Sequence, residues 1–126
     1  MNDYGDLLNG DSSKLSALSG SFRYHAPGMP EEGLGQAGFE EYLSGASQRF
    51  SDLKVTLENG LVGDGITMQE WKMVGTHDGE VDGIPPTGRV MELSTMSTTV
   101  IADGKIQEVR EYFDQQELLS QLEPEA

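Results

Sequence analysis

The chain of 126 residues contains no cysteine, which excludes disulfides, thiol nucleophiles and thiolate metal sites. Its two histidines, His25 and His77, lie in neither an HxH nor an HExxH arrangement, so we expect no metal ion. Glycine-rich nucleotide loops and the GxSxG sequence of serine hydrolases are also absent. The chemistry that remains is acid–base catalysis by histidine and carboxylate side chains.

Basic residues are scarce: 8 stand against 22 acidic ones, giving a net charge of −14. Such a surface repels phosphate backbones, so we expect no nucleic-acid partner and no anionic membrane surface. No apolar run is long enough to cross a bilayer. The first residues, MNDYGDLLNGDSSK, lack the basic and apolar segments of a secretory signal. We therefore expect a cytoplasmic protein with a single domain over residues 1–126.

Three helical segments are predicted. Residues 2–19 favour weak helix in one or two pieces, with Asp11 as an N-cap. An apolar stripe from Phe39 to Phe50 predicts a helix over 36–50. A short helix over 115–122 ends before Pro124.

Alternating apolar and polar residues predict strands between and after these helices. Asn59-Gly60 is a possible interruption of one strand, and Asp103-Gly104 is a strong hairpin signal. The strands fall at 22–25, 53–57, 66–76, 89–101 and 106–113. This order predicts an α+β fold with helices on one face of a curved, mostly antiparallel sheet.

The strand over 89–101 is polar on both faces, through Glu92, Ser94, Thr95 and Ser97 to Thr99. One face can meet solvent, and the other then lines a wet pocket. Glu111 stands in the next strand among Val109, Tyr112 and Phe113. If it is buried, its pKa rises towards the range used in proton transfer; the alternative is an exposed carboxylate.

The other candidates have plainer alternatives. Asp114 is as well explained as an N-cap of the last helix, and His25 as a hydrogen-bonding residue of a proline turn. His77 follows a strand near the predicted rim of the sheet, where a surface position is favoured. Trp71, the single tryptophan, is more typical of a core than of a pocket wall.

Four segments together resemble SnoaL-like polyketide cyclases (ester cyclases) of the NTF2-like superfamily. They are YHAPGMPEEGLGQAGFEEYL at 24–43, the F-DL-VT-E run at 50–58, W-x₃-GTH-x-GE-x₂-G-IPPTGR at 71–89 and DGKI-x-E-x₃-YFDQ-x₂-LL at 103–119. The resemblance spans roughly residues 22–122 in the order of the family.

The resemblance implies an α+β cone, with a strongly curved sheet wrapped over helices around an apolar pocket. It also implies ring closure by intramolecular aldol condensation, without metal or cofactor. In such cyclases a carboxylate on the last strand works with a histidine on the strand before it. Glu111 stands at the position of that carboxylate, as Glu in place of Asp, and Ser97 at the position of the histidine.

The residues and the resemblance together predict an enzyme that binds a small apolar, carbonyl-bearing molecule, and the resemblance also implies a homodimer. The alternative is a non-catalytic binding or dimerisation domain with the same fold. Candidate catalytic residues are Glu111, with His25 or Asp114 as a second proton relay. Candidate substrate-binding residues are Tyr24, Trp71, Met73, His77, Ser97 and Tyr112.

Overall fold

The computed structural model describes residues 2–81 and 83–122, and the α+β class is confirmed. The helices are α1 (Asn2–Leu8), a 3-10 helix (Ser12–Ala17), α2 (Gln36–Arg49) and α3 (Gln115–Leu122). The strands are β1 (Leu18–His25), β2 (Lys54–Val62), β3 (Ile66–Thr76), β4 (Val90–Ala102) and β5 (Lys105–Tyr112).

In the described residues the strands form a mixed sheet in the order β1-β5-β4-β3-β2. β1 runs parallel to β5, and the other neighbours are antiparallel. The long β4 lies in the centre, and β2 is an edge strand. The register sets Ser97 of β4 opposite both Gln69 of β3 and Glu111 of β5. Because side chains alternate across a strand, these three polar residues share one face.

That inner face is the one that the helices cover. Tyr4 and Leu7 of α1 and Phe39 of α2 are buried in a cluster with Phe22 of β1 and Trp71 of β3. A second cluster forms where α3 meets the other end of β4, and consists of Phe50, Val81, Met91, Leu93 and Leu122. The outer face carries exposed side chains. The fold therefore buries the polar row of β3, β4 and β5 beneath α1 and α2.

Several local predictions are confirmed. The Asp103-Gly104 hairpin has positive φ at both residues, 53° and 72°, as a tight turn between twisted strands requires. Asp11 caps the 3-10 helix, since its Oδ1 accepts a hydrogen bond from the backbone N of Ser13 at 3.1 Å. Pro124, the predicted end of the last helix, lies outside the described residues.

Two strands differ from their predictions. β1 begins at Leu18, four residues earlier than expected, because the 3-10 helix before it ends at Ala17. β2 continues through Asn59-Gly60, where a register shift after Leu57 absorbs the irregularity. Within the described ranges, no helix is long and apolar enough to cross a membrane.

Candidate functional site

The centre of the candidate site is the carboxyl group of Glu111, which is only 3% exposed. Two tyrosine hydroxyls hold it from different elements. Tyr4 of α1 donates a hydrogen bond to Oε1 at 2.9 Å. Tyr24 of β1 donates to Oε2 at 2.5 Å. Both tyrosines are fully buried, so each oxygen of the carboxyl group has a phenolic partner in a water-poor setting.

Burial controls the protonation of this group. Loss of water around Glu111 raises its pKa, and the hydrogen bonds from Tyr24 and Tyr4 offset only part of that rise. The pKa of Tyr4 and that of Tyr24 are also raised, first by burial and then by the Glu111 charge. The tyrosines therefore keep their protons and act as donors. Because its pKa is raised, the carboxyl group keeps its proton to a higher pH than an exposed glutamate does.

Ser97 lies beside Glu111, but its hydrogen bonds run in another direction. Its Oγ accepts from the indole Nε1 of Trp71 at 2.8 Å and donates to Oε1 of Gln69 at 3.1 Å. The amide of Gln69 continues the chain by donating to Oγ1 of Thr67 at 2.6 Å. A hydroxyl has one proton to donate. The single proton of Ser97 is committed to Gln69, so the serine fixes the tryptophan ring instead of serving Glu111.

The structure brings together four of the residues that the sequence singled out: Glu111, Tyr24, Trp71 and Ser97. Met73, also predicted, is partly buried further along β3 and contacts both hydrophobic clusters. The remaining candidates are elsewhere. Tyr112, 56% exposed, follows Glu111 on β5 and projects to the outer face.

His25 and Asp114 do not contact the carboxyl group of Glu111. His25 follows Tyr24 on β1 and is paired with Arg110, so its side chain takes the outer face. It shares a surface depression of about 250 Å³ with Pro27, Tyr112 and the slightly exposed part of Glu111. Asp114 is exposed and caps α3, because its Oδ1 accepts from the backbone N of Glu117 at 3.2 Å. The helix-cap interpretation accounts for its position.

The favoured surface position of His77 is wrong, since this residue is fully buried. Its Nδ1 accepts a hydrogen bond from the backbone N of Thr87 at 3.3 Å and lies 2.9 Å from Oγ1 of the same residue. Its backbone pairs with Arg89 and Gly88. The histidine thus ties the start of the loop between β3 and β4 to its end through hydrogen bonds. Its Nε2 has no hydrogen-bond partner among the described residues, and the ring lies 6.0 Å from that of Phe50.

Sequence reasoning missed Tyr4 and Gln69. In α1 the spacing of Tyr4, Leu7 and Leu8 is that of a single apolar helix face, which could have marked the tyrosine as inward-facing. Gln69 is two residues from Trp71 on β3, and this parity places both on one face. Neither signal identifies the partner of the side chain.

A groove of about 340 Å³ lies between the α1 and 3-10 segment on one side and α2 on the other. Apolar and polar residues line it in about equal shares, and the polar ones include Ser44, Ser47 and Glu40. The apolar wall residues are Leu7, Leu8, Leu15, Leu43, Phe50 and Leu53. Within the described residues, no three His, Asp or Glu side chains converge as a metal-binding group.

A mixed five-stranded sheet with helices packed on its inner face is the arrangement of the NTF2-like class of α+β folds. The family model described as SnoaL-like polyketide cyclase matches residues 5–122. The chain therefore belongs to the SnoaL-like polyketide cyclase family. No curated protein sequence matches it.

Solved structures share the fold at low sequence identity. IdmH from Streptomyces antibioticus, described as a candidate polyketide cyclase, has a TM-score of 0.82 at 23% identity, covering 96% of this chain and 94% of its own. A candidate SnoaL-like polyketide cyclase from Jannaschia sp. CCS1 gives 0.83 at 20% identity, with coverages of 94% and 82%. AclR from Streptomyces galilaeus, described as a candidate hydroxylase, gives 0.82 at 19%, with coverages of 95% and 89%.

The raised pKa of Glu111 predicts a pH dependence of stability. The neutral acid is the form that the fold favours, so its contribution to the free energy of unfolding is complete below the unfolded-state pKa of about 4.3. That contribution is lost as the pH rises through the folded-state pKa. Urea unfolding measures the free energy of unfolding of the wild type and of Glu111→Gln across this range. The wild-type value minus the Glu111→Gln value should fall as the pH rises. A pH-independent difference would contradict the prediction.

The bonds of Ser97 predict a structural role. Ser97→Ala leaves the indole N–H of Trp71 unpaired inside the sheet, which should lower the free energy of unfolding by about 1–3 kcal/mol. Ser94→Ala is the matched control, because Ser94 is exposed on the same strand, and its effect should stay within about 0.5 kcal/mol. Equal effects of the two substitutions would show that the buried hydrogen bonds carry no net stability.

Proposed function

We propose that this protein is a cofactor-independent enzyme that acts by acid–base catalysis on a small apolar molecule bearing carbonyl groups. The observation that carries the proposal is the Glu111 carboxyl group between the hydroxyls of Tyr4 and Tyr24. A buried carboxyl group with a raised pKa can both accept and return a proton, and a neutral tyrosine can donate to a developing oxyanion.

The reaction that fits these groups is enolisation followed by ring closure or isomerisation. Glu111, as carboxylate, removes a proton from the carbon next to a carbonyl group. A tyrosine hydroxyl, turned from Glu111 to the substrate, donates to the enolate oxygen. The enolate carbon then forms a bond to a second carbonyl carbon, and the alkoxide so produced takes the proton back from Glu111. The carboxylate is regenerated, and atoms and charge balance without an added reagent.

The surroundings favour an apolar, uncharged substrate. Aromatic rings line the space around the carboxyl group: Tyr4 lies edge-on to Trp71 at 5.8 Å, and Tyr24 lies 4.7 Å from Phe39. The net charge of −14 disfavours the approach of anions. In this proposal Tyr24 and Tyr4 supply the hydrogen bonds that the family resemblance would assign to a histidine at position 97.

A second candidate, a binding domain without catalysis, is favoured by the commitment of Ser97 to Trp71 and Gln69. The serine offers no proton relay, and both oxygens of the Glu111 carboxyl group are already hydrogen-bonded to tyrosine hydroxyls. The two candidates differ in one measurable respect. A binding domain takes up the ligand without moving a proton, whereas the enzyme exchanges protons next to the ligand's carbonyl group.

Enolisation can be tested without the natural substrate. α-Tetralone, a bicyclic aryl ketone, is incubated with the protein in D₂O, and deuterium at the carbon beside the carbonyl group is followed by NMR. We expect Glu111→Gln to lower the exchange rate by about 10²–10⁴-fold and Tyr24→Phe by a smaller factor. Glu108→Gln, on the outer face of the same strand, is the matched control and should keep the wild-type rate. An unchanged rate in Glu111→Gln would reject the acid–base function.

We also propose that two copies associate through the outer face of the sheet, which exposes Leu61, Met68, Met96 and Tyr112. Apolar side chains in such a patch favour burial against a second surface. Because each copy has a net charge of −14, the two copies repel each other, and added salt should strengthen the association by screening that repulsion. Light scattering should give a dimer mass at moderate salt and a monomer mass for Met96→Lys. A monomeric wild type at every salt concentration would contradict this.

A further inference from the structure

A third tyrosine stands beside the two that hold Glu111. Tyr42 of α2 packs against Tyr24, with ring centroids 5.5 Å apart and an angle of 36° between the ring planes. The hydrogen bonds that reach the Glu111 carboxyl group from the described side chains come from Tyr4 and Tyr24. Three tyrosines, from α1, β1 and α2, are thus gathered around one buried acid, and two of them bind it.

We propose that Tyr42 is a further catalytic residue, whose hydroxyl donates a hydrogen bond to the substrate oxygen that becomes negative when Glu111 removes a proton. This inference rests on the proposed function and names the donor for its enolate. Tyr4 and Tyr24 each commit a single hydroxyl proton to Glu111. Either of them can serve the substrate only by breaking a buried hydrogen bond to the acid. Tyr42 can donate while both hydrogen bonds remain and hold the acid in position.

Tyr42 lies close enough to Glu111 to be affected by its charge. The pKa of the Tyr42 hydroxyl is raised, first by burial and then by the Glu111 charge. Hydrogen bonding with Tyr24 and the charge of Arg49 offset only part of that rise. Tyr42 therefore keeps its proton at neutral pH and acts as a neutral donor. In a setting poor in water, such a donor stabilises a developing oxyanion more than it would in bulk water.

Tyr42 also connects the buried cluster with the surface. Tyr24 is fully buried, whereas Tyr42 is partly exposed and lines a groove of about 700 Å³ along α2. Leu34 lines the same groove, and its backbone pairs with that of Tyr24. Gly45, one turn after Tyr42, is a further lining residue, and a Cβ placed on it would meet nothing within 4 Å. A ligand in this groove therefore meets Tyr42 before it meets Tyr24.

The proposed step balances with Tyr42 as a donor that keeps its own proton. The C–H bond beside the carbonyl group breaks, and its proton goes to the Glu111 carboxylate. The electron pair of that bond moves towards the carbonyl oxygen, which becomes the enolate oxygen and accepts the hydrogen bond from Tyr42. One negative charge passes from Glu111 to the substrate, and the total charge is unchanged. Tyr42 acts on the oxygen that gains this charge, so its hydrogen bond strengthens as the step proceeds.

The hydroxyl can be removed without removing the ring. In the α-tetralone exchange in D₂O, we expect Tyr42→Phe to lower the maximal rate by about 10²-fold. The ketone concentration that gives half of that rate should change by less than about twofold, because the hydrogen bond counts mainly after charge has developed. Ser47→Ala is the matched control and should keep the wild-type rate. It removes an exposed hydroxyl of the same helix, one that donates to the backbone O of Ser44.

A second measurement reports the hydrogen bond to a ligand oxygen without turnover. 1-Naphthol has the ring frame of the α-tetralone enol and carries its oxygen at the same position. It is bound to Glu111→Gln, which represents the acid after it has taken up a proton, and absorbance gives the ratio of ionised to neutral naphthol at a fixed pH. We expect added Tyr42→Phe to lower this ratio about tenfold and added Ser47→Ala to leave it unchanged. A purely structural role of Tyr42 would not change this ratio.

Three results would overturn the inference. The first is a maximal exchange rate for Tyr42→Phe equal to that of Ser47→Ala. The second is a loss that appears only as a higher half-saturating ketone concentration, which would make Tyr42 part of a binding wall. The third is a naphthol ratio that does not depend on the Tyr42 hydroxyl, or a failure of 1-naphthol to bind.

These results are separable from a failure of the proposed function. If Glu111→Gln keeps the wild-type rate of α-tetralone exchange, the acid–base assignment fails. The naphthol measurement then still reports whether Tyr42 donates to a ligand oxygen. If Glu111→Gln abolishes exchange and Tyr42→Phe does not slow it, the acid–base function stands and Tyr42 is not the donor.

Discussion

The burial of one carboxyl group, with no cation beside it in the part of the chain that the structure describes, is the constraint on which the rest of the site depends. An ionised carboxylate in such a place costs several kcal/mol unless donors or a proton neutralise it. The ion pairs Lys72–Glu92, Lys14–Asp6 and Arg110–Glu108 lie at the surface. Glu111 is therefore accommodated by the hydroxyls of Tyr4 and Tyr24 and by a raised pKa. The hydrogen bonds and the raised pKa that allow this carboxyl group to be buried also suit it to proton transfer.

This constraint explains why the histidine expected at position 97 is not required for the fold. Ser97 faces Glu111 across two paired strands, yet its proton goes to Gln69 and its lone pair to Trp71. The hydroxyls of Tyr4 and Tyr24 instead donate a hydrogen bond to each of the two carboxyl oxygens of Glu111. The family fold is thus preserved while the polar partners of its carboxylate come from α1 and β1, at the opposite end of the chain.

Much of this was predictable from the sequence, where the signal is local. Alternation over 66–76 and 89–101 and the Asp103-Gly104 turn were enough to predict the sheet, and the family motifs were enough to single out Glu111 as a candidate. The hydrogen bond from Tyr4 to Glu111 joins residues 107 positions apart, and no local pattern announces such a contact. The outward direction of His25 depends on its parallel pairing with β5, and the burial of His77 depends on Thr87 across a loop. Contacts between distant segments, more than local secondary-structure propensity, determine where these two histidine side chains lie.

A direct titration of the Glu111 side chain tests the central claim, that this carboxyl group is a buried acid with a raised pKa. The carboxyl carbon can be followed by ¹³C NMR on glutamate-labelled protein, with Glu111→Gln used to assign the signal. The account predicts that this signal titrates above the other glutamates, and that its midpoint is the highest among them. A midpoint at or below that of the exposed glutamates would contradict the account.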